Sequence, residues 1–145
     1  MPTIFTSDAA VERIARGLLD RSLPKIEWTH AAHFAAVLWL LRDCAESDVI
    51  ARLPGWIRAY NEASGVANTD SSGYHETITL ASIRAASTVL AAHSNVTPLH
   101  QIVNVLMATE LGRSAWLLRH WSRERLFSSE ARRHWLDPDL EPLPF

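Results

Sequence analysis

The stretch His30-Ala31-Ala32-His33-Phe34-Ala35-Ala36-Val37-Leu38-Trp39-Leu40-Leu41 decides the fold. From Phe34 to Leu41 every residue is apolar, so a helix over this segment has no polar face to turn to water and must lie largely buried. The run is far shorter than the roughly 20 residues needed to cross a bilayer, so it predicts the central helix of a water-exposed bundle. His30 and His33 stand one helical turn apart at its mouth. Imidazoles placed there are drawn out of water and need partners.

Working outward, helix signals recur, and no segment shows sustained period-two alternation with hairpin turn residues. The sequence predicts an all-α, up-and-down bundle of about five main helices, with short C-terminal helices and an extended tail. A first helix runs from about Ser7, an N-cap with Asp8 behind it, to about Ser22, with Val11, Ile14, Ala15, Leu18 and Leu19 as its apolar stripe. The second covers about Thr29 to Asp43. A third opens at Ser47-Asp48 and ends near Ser64-Gly65, and Pro54-Gly55 is expected to break or kink it. Val66 to Gly73 is rich in turn residues and reads as the longest loop, placed to act as a lid. A fourth helix covers about Tyr74 to Ala92. A fifth follows Thr97-Pro98, with Thr as N-cap and Pro in the first turn, and ends by Gly112. Short helices at about Ser114 to His120 and Ser129 to Trp135 lead into Asp137-Pro138-Asp139-Leu140-Glu141-Pro142-Leu143-Pro144. Its prolines forbid helix, which leaves two arrangements: draped over the bundle with Leu140, Leu143 and Phe145 as apolar anchors, or frayed.

With 145 residues, the chain fits one domain over residues 1–145, its tail extended from about 137. A hydrophobic content of 48%, 21% charged residues and a net charge of -2 describe an ordinary globular protein with no bias toward a polyanionic partner. Cys44 is the lone cysteine, which excludes an internal disulfide and points to a reducing compartment. With no secretory pattern at the start, the expected location is cytoplasmic and off the membrane. Six basic residues between Arg113 and Arg133 are interleaved with Trp116, Trp121 and Phe127. Glu124 and Glu130 interrupt the run, so it reads as a solvated, ion-paired face with Ser122 and Ser128 as caps and not as a nucleic-acid surface. The six tryptophans mostly serve the core, and any left exposed would suit a homodimer interface.

Chemistry concentrates in the histidines. On a helical wheel His30 and His33 share the bulky apolar face of the second helix with Val37, Leu40 and Leu41. On the fourth helix His75 shares a stripe with Thr79, Ser82, Ala86 and His93, while Thr77, Arg84 and Thr88 lie opposite. Small and hydroxyl-bearing residues along an inward stripe leave room near the bundle axis, where helical proteins hold metals or ligands. Imidazoles at i, i+3 can converge on one ion. His30, His33 and His75 would then form a three-histidine site with an open position for water, holding a divalent metal such as Zn, Fe or Ni. Glu76 in place of one histidine would suit non-haem iron, and as a neighbour it fits a general-base or outer role. Tyr74 and Thr79 are candidates to hydrogen-bond a bound water or a small-molecule substrate. Two alternatives stand beside this metal-dependent hydrolase reading: a metal-free acid-base pair of His75 and Glu76, and a non-catalytic, partner-binding or homodimeric bundle whose histidines complete core hydrogen bonds. Glu27-x-x-His30 has di-iron spacing, but Glu110 is the only other carboxylate at a suitable helix position.

The blocks Trp28-Thr29-His30-x-x-His33, Tyr74-His75-Glu76-Thr77-Ile78-Thr79 and Trp121-Ser122-Arg123-Glu124-Arg125-Leu126-Phe127-Ser128, with the Pro-Asp-Leu-x-Pro-Leu-Pro tail, resemble a family of small bacterial helical proteins. The resemblance spans most of the chain after Glu27 and implies no established activity. More loosely, the chain resembles the DinB-like metal-binding bundles, four-helix proteins with three histidine ligands. There the paired histidines come late and at i, i+4, whereas here they come early and at i, i+3.

Overall fold

The computed structural model describes residues 3–145, so the expected domain of residues 1–145 extends two residues beyond them. Seven α-helices are present, and no strand occurs among the described residues: α1 (Asp8–Leu19), α2 (His30–Asp43), α3 (Glu46–Ala63), α4 (Glu76–Ala91), α5 (Leu99–Met107), α6 (Arg123–Leu126) and α7 (Ser129–Arg133). The chain is an all-α bundle. No helix is long and apolar enough to cross a membrane among the described residues.

α2 is the axis. It buries Ala31, Ala32, Phe34, Ala35, Ala36, Val37, Leu38, Leu40 and Leu41, nearly its whole circumference, and packs against α1, α3, α4 and α5. Burial of a side chain such as Leu38, which is 0% exposed, contributes about 1.5–3 kcal/mol. α1 starts where Ser7 accepts from the Ala10 N–H, and it ends in a reversal with Arg21 at φ 65°. That reversal brings Leu23 against Gly17, where an added Cβ would sit 2.8 Å from the Leu23 Cβ, so only glycine admits the approach. In α2 the Thr29 hydroxyl accepts from the Ala32 N–H.

Three expectations need correction. α3 runs unbroken through Pro54, and its N-cap position is Ala45, without a side-chain bond, not Ser47. Ile50, whose carbonyl loses the Pro54 partner, is exposed, so water can take the freed acceptor. At α5 the N-cap position is Pro98, one residue later than the expected Thr97. The third concerns the far face of α4. Thr77 was placed opposite the core, but it is 0% exposed, because the C-terminal segment covers it. Its hydroxyl lies 2.7 Å from the Ala131 carbonyl and 2.8 Å from that of His134, and it accepts from the Leu136 N–H at 3.2 Å.

Of the two arrangements open to the tail, it takes the draped one. Leu143 and Phe145 pack on the core, whereas Leu140 is exposed. Asp139 clamps Ser122 by accepting from its N–H at 2.8 Å and its hydroxyl at 2.6 Å. The basic segment is spent on structure. Arg119 pairs with Glu110 and Glu141, Arg133 pairs with Asp70, and Arg125 donates to the Asp137 carbonyl. These partners replace the expected Glu124 and Glu130, while Ser122 and Ser128 do cap α6 and α7. None of the six tryptophans is exposed.

Candidate functional site

α2 and α4 begin on the same plan. Each has an aromatic residue just before its N-cap (Trp28, Tyr74), a capping side chain (Thr29, His75) and a polar residue four places into the helix (His33, Thr79). An N′ residue packing on residue N4 is the staple geometry that fixes how a chain enters a helix. In α2 the staple is Trp28 on His33, with ring centroids 4.0 Å apart and an interplanar angle of 35°. Both helix starts face one pocket of about 380 Å³, lined by Trp28, His33, Tyr74, His75 and Thr79 together with Leu18, Ala36, Val37, Leu53, Ile57, Asn61, Val66, Gly73, Ile78 and Ser82. The size falls within the range of small-molecule sites.

The two histidines on this wall differ in what their nitrogens do. His75 is the N-cap of α4, and its Nδ1 accepts from the Ile78 N–H at 3.2 Å. That leaves the proton on Nε2, which donates to the Leu126 carbonyl at 2.6 Å. Both nitrogens are spent in one neutral tautomer. Burial pushes this imidazole's pKa down, against the pull of the Leu126 carbonyl.

His33 is different. Neither ring nitrogen has a hydrogen-bond partner among the described residues, and burial, with the nearby His30 adding to it, pushes the imidazole down to about 4. The ring is nevertheless exposed. Both statements hold because its open surface forms pocket wall: protein encloses the ring, and the cavity leaves it uncovered. A neutral imidazole so placed offers one donor and one acceptor to whatever occupies the space.

His30 does not reach the pocket. Its ring packs edge-on to Phe34 at 5.3 Å, and its Nε2 lies 2.7 Å from the Leu111 carbonyl. The His30, His33 and His75 ligand set is therefore not assembled. Two of the three rings hold backbone groups, and no group of three His, Cys, Asp or Glu among the described residues is placed to hold a metal ion. Glu76, the expected general base, is turned to Tyr74. It accepts from the Tyr74 hydroxyl at 2.5 Å and lies outside the pocket lining. Tyr74 is buried, its phenol pKa pushed up by that burial first and by Glu76 next, with the Thr79 hydroxyl opposing; Arg58 stacks over its ring at 4.3 Å.

The loop before α4 closes one side of the pocket. Asn68 accepts from the Tyr74 N–H and the Asn61 side chain and donates to the Arg58 carbonyl. Gly73, at φ 77°, passes so close that an added Cβ would lie 2.5 Å from the Ala67 carbonyl oxygen. Trp28 and Asn61, with the apolar Leu53 and Ile57, are pocket residues that sequence reasoning did not assign to the site. Trp28 carried a usable signal, its N′ position before a threonine cap. Asn61 carried none, being a lone amide in the last turn of a helix.

No family model, no curated protein and no solved structure matches this chain.

Proposed function

We propose that the protein binds a small molecule in the pocket between the starts of α2 and α4, with His33 as its principal polar contact. The observation that carries this reading is an imidazole on the pocket wall, held against Trp28, whose two nitrogens have no protein partner among the described residues. Trp28 fixes the ring plane. Because the ring is neutral, it can also take a proton from a bound group, the one step of acid-base chemistry this site is equipped for.

A metal-dependent reaction is the competing reading. It requires His30 and His75 to release the Leu111 and Leu126 carbonyls and turn toward His33. Elemental analysis of untagged protein separates the two. Stoichiometric zinc, iron or nickel that is lost in His33→Ala and in His75→Ala would replace the proposal. The positive test is a ring-nitrogen NMR spectrum of His33 with and without a saturating small aromatic alcohol. A shift confined to His33 among the seven histidines is the expected result, and an unchanged ring would contradict it.

A further inference from the structure

Resting on the pocket reading above, we infer that the ligand is an uncharged, mostly apolar molecule of bicyclic or alkyl-aromatic size carrying a single hydroxyl or comparable group for His33. The wall carries the first part of the argument. No Lys, Arg, Asp or Glu lines the pocket. Nearby charges lie behind Tyr74 and are already engaged: Arg58 stacks on its ring, Glu76 accepts from its hydroxyl, and Arg132 donates to the Gly73 and Tyr74 carbonyls. An ion entering the pocket would lose its hydration and meet no counter-charge, which is strongly unfavourable.

The polar inventory limits the ligand further. His75 has no nitrogen to offer, Ser82 donates back to the Ile78 carbonyl within its own helix, and the Asn61 amide nitrogen is held by Asn68. The His33 ring is joined on the lining by the Trp28 indole N–H, the Asn61 amide oxygen and the Thr79 hydroxyl, the last already hydrogen-bonded to the Tyr74 phenol. The inventory is short: one hydrogen-bonding group placed at His33 matches it, whereas a sugar or a nucleotide would bury more polar atoms than this wall can pair. Volume sets the size. A cavity of about 150 Å³ accepts benzene, and this pocket of about 380 Å³ is between two and three times as large. The flanking rings of Trp28 and Tyr74 favour a flat ligand.

The test uses three probes of nearly equal shape: naphthalene, 2-naphthol and 2-naphthoate, titrated into the full chain at neutral pH. His33 ring signals report occupancy, and 4-butylphenol serves as a second neutral alcohol of different shape. The expected result is that 2-naphthol binds at least tenfold tighter than 2-naphthoate and tighter than naphthalene. In His33→Phe, checked for unchanged helicity, the advantage of the naphthol over naphthalene should vanish while naphthalene still binds, read there from the methyl signals of Val37 and Ile78. Naphthoate binding as tightly as naphthol at His33 would overturn the uncharged class and leave the pocket reading standing. Failure of both neutral alcohols to perturb His33 would overturn the pocket reading itself.

Discussion

His33 and His75 stand on the same wall, at the starts of two neighbouring helices, and have opposite economies. His75 gives one nitrogen to the first turn of α4 and the other to the Leu126 carbonyl, so its ring is part of the scaffold. His33 is spared that duty because Thr29 caps α2 in its place, and Trp28 holds its ring without using its nitrogens. The lesson is that a histidine near a helix start is available for chemistry only when another residue performs the cap. Which of two similar motifs is a site follows from counting free nitrogens, not from the motif.

The largest effect expected from breaking this contrast is on the scaffold side. His75→Ala removes an N-cap and strands a buried carbonyl, so unfolding free energy should fall by about 2–4 kcal/mol in urea denaturation. Gly73→Ala comes next. It forces a β-carbon into the Ala67 carbonyl at a positive φ and should cost about 1–3 kcal/mol, with the pocket-facing loop displaced. His33→Leu should behave in the opposite way to His75→Ala. Replacing an unpartnered, desolvated imidazole with an apolar side chain should leave stability within about 1 kcal/mol of the parent or raise it. A loss as large as that of His75→Ala would mean that His33 is structural after all.

A pH series sharpens the same comparison. The His33 pKa is lowered in the folded state from 6.5 to about 4, so between those values the unfolded chain binds a proton that the folded chain does not. Stability therefore falls as pH drops through that window and is fully restored above it. The lowered His75 pKa acts with the same sign. Thermal denaturation of the parent and of His33→Leu should show a shallower decline in the variant. Smallest of all, Arg133→Ala breaks an exposed pair with Asp70 and should change the melting temperature by no measurable amount.

Helix starts were legible because capping is local: Ser7, Thr29, Ser122 and Ser128 each hold an N–H three residues ahead. The pocket's position was partly legible too, since Thr79 and Ser82 line it from the small, hydroxyl-bearing face of α4. What the histidine nitrogens do was not legible. Their partners Leu111 and Leu126 are 81 and 51 residues away in the chain, and no local pattern announces a carbonyl brought in by tertiary folding. The same holds for Thr77, which reads as an outward residue until the C-terminal segment arrives to cover it. Pro54 misleads for the converse reason. Its local penalty is real, but tertiary packing of Val49, Leu53 and Tyr60 holds the helix together across it.

The account stands on His33 being neutral, unpartnered and enclosed, and a titration of its ring nitrogens by long-range proton–nitrogen NMR tests this directly. The predicted midpoint is near 4, with neutral His75 present as the tautomer protonated on Nε2. A His33 midpoint at or above its ordinary value of 6.5 would show a ring that is solvated or paired with a carboxylate, and would contradict the account.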